Sequence, residues 1–273
     1  MAEMSKVSEM PDVAETSQIK TLTLSATLAY NGAPFCGFAR QPGLLTVQGE
    51  LESALALLFK REVLTTCAGR TDTGVHARTQ VVSFDIDVDE LRARTFPNIC
   101  RSLNALTDDG ISVREVRERE GGFSARLDAK MREYRYFVCV DPAAPIFMRD
   151  FAWHVNKPLD ISAMQQAASY LIGEHDFKSF CLAASAEGKR TFRNVSEISF
   201  AQEFVMGEQM LVITVKGNAF LHSMVRAIVG SLVMVGCGKR TPEWMQEVLA
   251  AKNRSAAGEN APACGLVLWD VVY

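Results

Sequence analysis

Residues 68–77, Ala-Gly-Arg-Thr-Asp-Thr-Gly-Val-His-Ala, place one carboxylate, Asp72, between Gly69 and Gly74, with Arg70 two positions before it. Apolar, strand-like residues follow from Val81. A short glycine-bounded loop beside a strand is where a rigid scaffold can display a reactive side chain. A carboxylate held next to a guanidinium stays ionised, the form in which it acts as a nucleophile. The same residues also suit an ordinary turn, since Asp tolerates left-handed backbone and caps its own chain. On the decapeptide alone both readings stand.

Two other chemistries can be tested on the same run. Gly69 and Gly74 have the spacing of a phosphate-binding loop, but Val75-His76 stands where that loop needs Lys-Ser/Thr. Asp72-Thr73-Gly74 matches the aspartic-protease triplet, yet that chemistry needs two carboxylates sharing a proton. With no second Asp-Thr-Gly or Asp-Ser-Gly in the chain, a protease would have to build its site across a dimer.

Two further segments carry candidate functional groups. In residues 126–140, a strand would put Arg132, Tyr134, Tyr136 and Val138 on one face and Arg135, Phe137 and Cys139 on the other. A face of guanidinium and phenol groups can stack a base and meet a phosphate; a surface strand with packed aromatics and solvated arginines would read the same. In residues 218–230, Arg226 sits in a run that is apolar almost all round, the mark of a buried helix. A buried guanidinium needs a carboxylate partner, unless its stem lets it reach the surface. Asp72 is the obvious candidate partner.

The elements that must position these groups alternate along the chain. Residues 21–29 read as a strand and Tyr30-Asn31-Gly32 as a turn; residues 47–59 have helical spacing. Residues 63–67 and 80–86 read as strands bracketing the Asp72 loop. Residues 89–103 read as one helix with Asp89 as N-cap, and 111–116 as a strand. In the second half, 130–140 is a strong strand and Pro142 and Pro145 mark a loop. Residues 161–172 are a helix started by Asp160 and stopped at Gly173. Strands are expected at 195–200 and 211–216, a long apolar helix over 219–235, and a helix over 242–251 with Thr241 as N-cap and Pro242 at its first position. Residues 266–272 close with a strand. Strands and helices mix in each half, so the reading is two α+β lobes, 19–121 and 122–273, joined near Gly121-Gly122, behind a disordered tail over 1–18.

Length and composition bound the rest. The chain has 273 residues, is 48% hydrophobic and carries a net charge of −3. That is ample for a buried core and, taken globally, argues against a nucleic-acid binder. The charge is uneven, however. Acidic residues gather in the tail and at 85–90, basic ones at Arg126, Lys130, Arg132 and Arg135 and at Lys189, Arg190 and Arg193, and a phosphate feels the local surface. The tail lacks both the apolar core of a signal peptide and the arginines of a transit peptide. The longest apolar run, 227–238, falls far short of the roughly 20 residues a membrane span needs. Seven scattered cysteines without a Cys-x-x-Cys pair, and four histidines without ligand spacing, indicate neither a disulfide framework nor a metal site and suit a reduced cytoplasmic protein.

The motifs together resemble a known family. Residues 68–77 resemble the catalytic motif of the TruA-type tRNA pseudouridine synthases. The likeness extends to Tyr30-Asn31-Gly32 with Gly37-Phe38, Val47-Gln48, Phe123-Ser124-Ala125-Arg126 with Arg132-Glu133-Tyr134-Arg135-Tyr136, His175–Phe180, Asn218–Gly236 and Gly265-Leu266. It covers roughly residues 20 to 273, in order. It implies an isomerase that converts uridine to pseudouridine on the 3′ side of the tRNA anticodon stem-loop (positions 38–40 of the tRNA), with no cofactor. By the same resemblance Asp72 is the nucleophile, Tyr134 stacks on the target base, and Arg70 and Arg226 flank the carboxylate, Arg70 also helping to hold a flipped base. Arg126, Arg132, Lys189 and Arg190 are expected to contact RNA. The implied fold is two similar α+β lobes with a joint mixed sheet, helices on the outer face and a cleft between, acting as a homodimer. Asn31, Phe38-Ala39 and Thr73 depart from the family's usual Asp, Trp-Gln and Ala. A non-catalytic RNA-binding module of the same fold is the alternative, which intact Asp72 argues against.

Overall fold

The computed structural model describes residues 20–92, 94–182 and 187–273; the expected tail over 1–18 lies outside the described residues. The strands are β1 (Thr21–Tyr30), β2 (Thr66–Cys67), β3 (His76–Asp87), β4 (Ile111–Glu118), β5 (Met131–Cys139), β6 (Trp153–His154), β7 (Gly173–Asp176), β8 (Phe192–Val205), β9 (Glu208–Gly217) and β10 (Leu266–Val272). They form one mixed sheet in the order β4-β1-β3-β10-β5-β9-β8-β7, with β2 paired to β3 and β6 to β5. The helices are α1 (Val47–Phe59), α2 (Val88–Leu91), α3 (Phe96–Leu106), α4 (Ile161–Ser169), α5 (Met224–Gly236) and α6 (Trp244–Ala251). This is an α+β fold, as the alternation of elements predicted.

The position of β10 matters most for the site. The last strand of the chain inserts between β3, from the first half, and β5, from the second. It pairs parallel to β3 through Val267↔His76 and Leu268↔Ala77, and antiparallel to β5 through Leu268↔Tyr134. Ala77, Leu268 and Tyr134 therefore stand in one row across three strands. Tyr134 is thereby brought beside the segment that leads out of the Asp72 loop. Near Gly121-Gly122, where the join was expected, the chain turns between β4 and β5, with Gly122 at φ +84°.

Apolar faces of α1, α3, α4, α5 and α6 bury residues in one large cluster with the strands, including Leu51, Ile99, Met164, Ile228 and Met245. On β5, Tyr134, Tyr136 and Val138 join that cluster, whereas Phe137 and Cys139 enter a smaller one with Met148, Met210 and Val267. The period-two split read from the sequence is thus the split between two cores.

Several element boundaries differ from expectation, each for a local reason. The single helix expected over 89–103 is two. Asp87, not Asp89, caps α2 through a capping box with Glu90. Thr95 caps α3 from its side chain to Asn98 N, and Pro97 lies in the first turn. Proline lacks the N–H and is tolerated only at a helix start, so a helix must restart just before it. Of residues 63–67 only Thr66–Cys67 joins the sheet; the Thr65 amide and hydroxyl both donate to the buried Glu52 carboxylate, at 2.9 Å each. The last helix begins at Trp244 rather than Pro242, because residues 241–245 enter through i→i+3 bonds. The long apolar helix begins at Met224, five residues later than expected.

Candidate active site

The Asp72 loop is held at nearly every residue. The Ala68 amide donates to Val81 O at 2.8 Å. Gln80, fully buried, donates its amide to Gly69 O at 2.6 Å. The Thr71 hydroxyl shares a 2.8 Å bond with the Tyr30 phenol. The Val75 amide closes a turn on Asp72 O at 3.1 Å, with Gly74 at φ +77°; glycine supplies the positive φ that a type II turn needs at its third position. The turn after β1 packs directly against this loop. A Cβ on Gly32 would lie 2.1 Å from Val75 O, an approach only glycine permits.

Gly32 N also donates to His76 Nδ1 at 3.0 Å. A backbone amide can only donate, so Nδ1 accepts and the neutral ring carries its proton on Nε2. Burial lowers the His76 pKa, against the weaker opposite pull of the Asp150 and Cys264 backbone and the Asp150 charge. His76 is a structural tie between the loop and the β1 turn, a role the sequence reading missed.

The α5 helix and the segment before it supply the partners of Asp72. Arg226 Nη1 lies 3.0 Å from Asp72 Oδ2 and Ser223 Oγ donates to the same oxygen at 2.6 Å. His222 Nε2 stands 3.2 Å from Oδ1. Arg226 also donates from Nε to Ala261 O at 2.8 Å, while Ala261 N donates back to Arg226 O at 3.0 Å. The guanidinium, partly buried with 19% of its side chain exposed, has therefore found its carboxylate, and the carboxylate is Asp72. Among the described residues the guanidinium paired with Asp72 is that of Arg226, with the His222 ring also against the carboxylate, whereas Arg70 is exposed. Arg70 is close enough to the thiol of Cys67, as is Arg126, to pull it down, but burial dominates and pushes that thiol up to about 11. Cys67 is a protonated core residue beneath the loop. His222 and Ser223 were missed because nothing in their spacing marks them; the available signal was Ser223 as an N-cap candidate ahead of an apolar helix.

Tyr134 is 6% exposed and packs edge-on against Phe220, with ring centroids 5.1 Å apart. Burial raises its phenol pKa well above the usual value, and the neighbouring Tyr30 phenol and Asp72 carboxylate push the same way. The hydroxyl therefore stays protonated.

Arg132 requires a correction. Expected to meet RNA, it is 7% exposed. Nε and Nη2 donate to Ala68 O at 3.2 and 2.9 Å, Nη1 to Ala129 O at 2.8 Å and Asn218 O at 2.6 Å, and Nη2 to Arg126 O at 2.6 Å. All five donors of a guanidinium are engaged by backbone carbonyls. They belong to the Asp72 loop, the turn before β5 and the residue that follows β9, so Arg132 pins three functional segments together. Arg126, Lys189 and Arg190 are exposed, Arg190 with a 3.3 Å pair to Glu174; part of the loop carrying Lys189 and Arg190, residues 183–186, lies outside the described residues.

Comparison with known proteins agrees with this geometry. Residues 167–273 match the family model described as tRNA pseudouridine synthase. A protein named tRNA pseudouridine synthase A from Brevibacillus brevis is 45% identical over 254 residues, covering 92% of this chain and 99% of its own length. Proteins of the same name from Bacillus subtilis and Thermosipho melanesiensis are each 42% identical, over 92% and 90% of this chain and 99% and 97% of their own lengths. With the Asp72 loop inside the region shared with these relatives and the α5 residues inside the matched family model, the chain belongs to the tRNA pseudouridine synthase family.

Proposed function

We propose that this protein isomerises uridine to pseudouridine in tRNA with Asp72 as nucleophile, acting on the 3′ side of the anticodon stem-loop. The observation that carries the reading is the carboxylate of Asp72, oriented by Ser223, Arg226 and His222 and neighboured by the buried, protonated phenol of Tyr134. In the net reaction the C1′–N1 bond breaks, the uracil turns, and a C1′–C5 bond forms. The C5 hydrogen leaves to solvent as a proton and N1 gains one, so no oxidant or reductant is required. Attack at C1′, addition at C6 and passage through a glycal all remain compatible with a carboxylate in this setting.

Tyr134 has a ring on which the target base can stack, and Arg70, exposed at the loop, suits the role of holding the flipped nucleotide. Arg126, Lys189 and Arg190 supply exposed charge for phosphates. Residues up to 121 and from 122 act as two lobes, with β10 as the strand between them. A homodimer is supported by exposed apolar side chains at Ile146, Phe147, Phe204 and Met206, from 64 to 78% exposed. The Glu208 carboxylate draws these side chains together by accepting the backbone amides of 146–148, at 2.5 to 3.2 Å, beside the β8–β9 hairpin. Seven free thiols suit a cytoplasmic setting.

The test is release of tritium from tRNA carrying 5-tritiated uridine. The wild-type protein is expected to release it, and Asp72→Asn to release none while binding tRNA with near-normal affinity. Substantial turnover by Asp72→Asn would place the nucleophile elsewhere.

A further inference from the structure

We infer that Ser223 is a positioning residue for the nucleophile: its hydroxyl ties down Oδ2 of Asp72 and leaves Oδ1 as the oxygen presented to the substrate. This rests on the reading of Asp72 as nucleophile.

Two independent observations carry it. The first is backbone conformation. Four described non-glycine residues have positive φ: Lys60, Met206, Ser223 and Lys252. Lys60 and Lys252 are helix C-caps, where left-handed backbone is ordinary. Met206 precedes Gly207 in the β8–β9 hairpin turn, where positive φ is also expected. Ser223 stands instead at the N-cap of α5, with φ 59° and ψ 11°. N-caps normally adopt extended backbone and turn a side-chain oxygen onto the helix amides. Ser223 does neither, for its side chain makes no cap bond. The fold thus accepts a strained residue and gives up a cap at the same position. Strain of this kind persists where surrounding structure enforces it, and it clusters at functional sites.

The second observation is where the hydroxyl goes. It donates to Asp72 Oδ2 at 2.6 Å, alongside Arg226 Nη1 at 3.0 Å. An ionised carboxylate offers about two acceptor sites on each oxygen, so Oδ2 is filled. Oδ1 has the longer contact, 3.2 Å to His222, whose side chain is 47% exposed. A lone pair of Oδ1 remains for the reacting atom.

The experiment compares wild type with Ser223→Gly, Ser223→Ala and Ser223→Thr by single-turnover tritium release at saturating enzyme, tRNA affinity and thermal midpoint. Glycine adopts this backbone without a Cβ penalty. The Gly variant is therefore expected to melt at or above the wild-type temperature yet react about 10- to 100-fold more slowly, the worth of a hydrogen bond to a charged group, with affinity changed by less than about twofold. Thr keeps the hydroxyl and is expected to react faster than Ala even if it melts lower. A serine needed only for folding would lower the melting temperature and leave the rate per folded enzyme unchanged. A Gly variant reacting within about twofold of wild type would overturn the inference, as would a folded Thr variant no faster than Ala. Asp72→Asn run in parallel separates the two claims. If it is inactive while Ser223→Gly is fully active, only the role of Ser223 fails; if it is active, the nucleophile assignment itself fails.

Discussion

Replacing Arg132 by Lys tests whether this cation is a scaffold or an RNA contact. Five guanidinium donors reach four carbonyls, of Ala68, Arg126, Ala129 and Asn218. An ammonium has three donors from a single point and cannot reproduce the fork. At least one carbonyl loses its partner, and the spread of the four positions makes two the expected number. An unsatisfied buried polar group costs about 1–3 kcal/mol, so the loss of two partners is expected to destabilise by about 2–6 kcal/mol. At roughly 2 °C per kcal/mol for a chain of this size, the thermal midpoint should fall by about 4–12 °C. Turnover should fall too, because Ala68 leads into the loop that carries Asp72. The RNA side gives the opposite expectation. A residue touching phosphate would lower the slope of log K against log salt by about 1 when its charge is removed, whereas Arg132→Met, if folded, should leave that slope unchanged. A protein that melts like wild type, or an Arg132→Met variant that is folded but has a salt slope reduced by about 1, would refute the argument and restore Arg132 as an RNA contact.

Two further outcomes follow from the site. Tyr134→Phe keeps the ring against Phe220 and should bind tRNA with unchanged affinity while losing rate; equal single-turnover rates would remove the phenol from the reaction. The lowered pKa of His76 makes stability depend on pH in a defined direction. As pH drops below the ordinary histidine value of about 6.5, the unfolded chain takes up a proton that the folded chain refuses. The stabilisation is therefore complete above that value and is lost as pH falls toward the folded pKa, by at most about 1.4 kcal/mol per pH unit. His76→Asn keeps an acceptor for the Gly32 amide without titrating, so its thermal midpoint should fall less than that of wild type between pH 7 and 5; parallel curves would contradict the assignment.

The sequence by itself determined much of the local architecture. The helix at Val47–Phe59 and the strand at Leu266–Val272 follow their periodicity to the residue, and the central strand differs from its expected bounds by one residue at each end. Boundaries moved where one residue overrides a pattern: Pro97 splits a helix, and Ser223 delays another by leaving helical backbone. The need of Arg226 for a carboxylate was legible from the apolar run around it. That the carboxylate is Asp72, 154 positions away, could be named from the sequence only as a candidate; the tertiary structure decided it. Neither Ser223 on the same oxygen nor the burial of Arg132 could be read at all. Side-chain period says which residues share a face, and put Arg132 correctly with Tyr134. It does not say what covers that face. Here the cover is carbonyls 64 positions before Arg132 and 86 after it. They meet there because β10, the last strand made, slots between β3 and β5 and sets the register of the two halves, and register between distant strands is decided by the packing of the whole sheet.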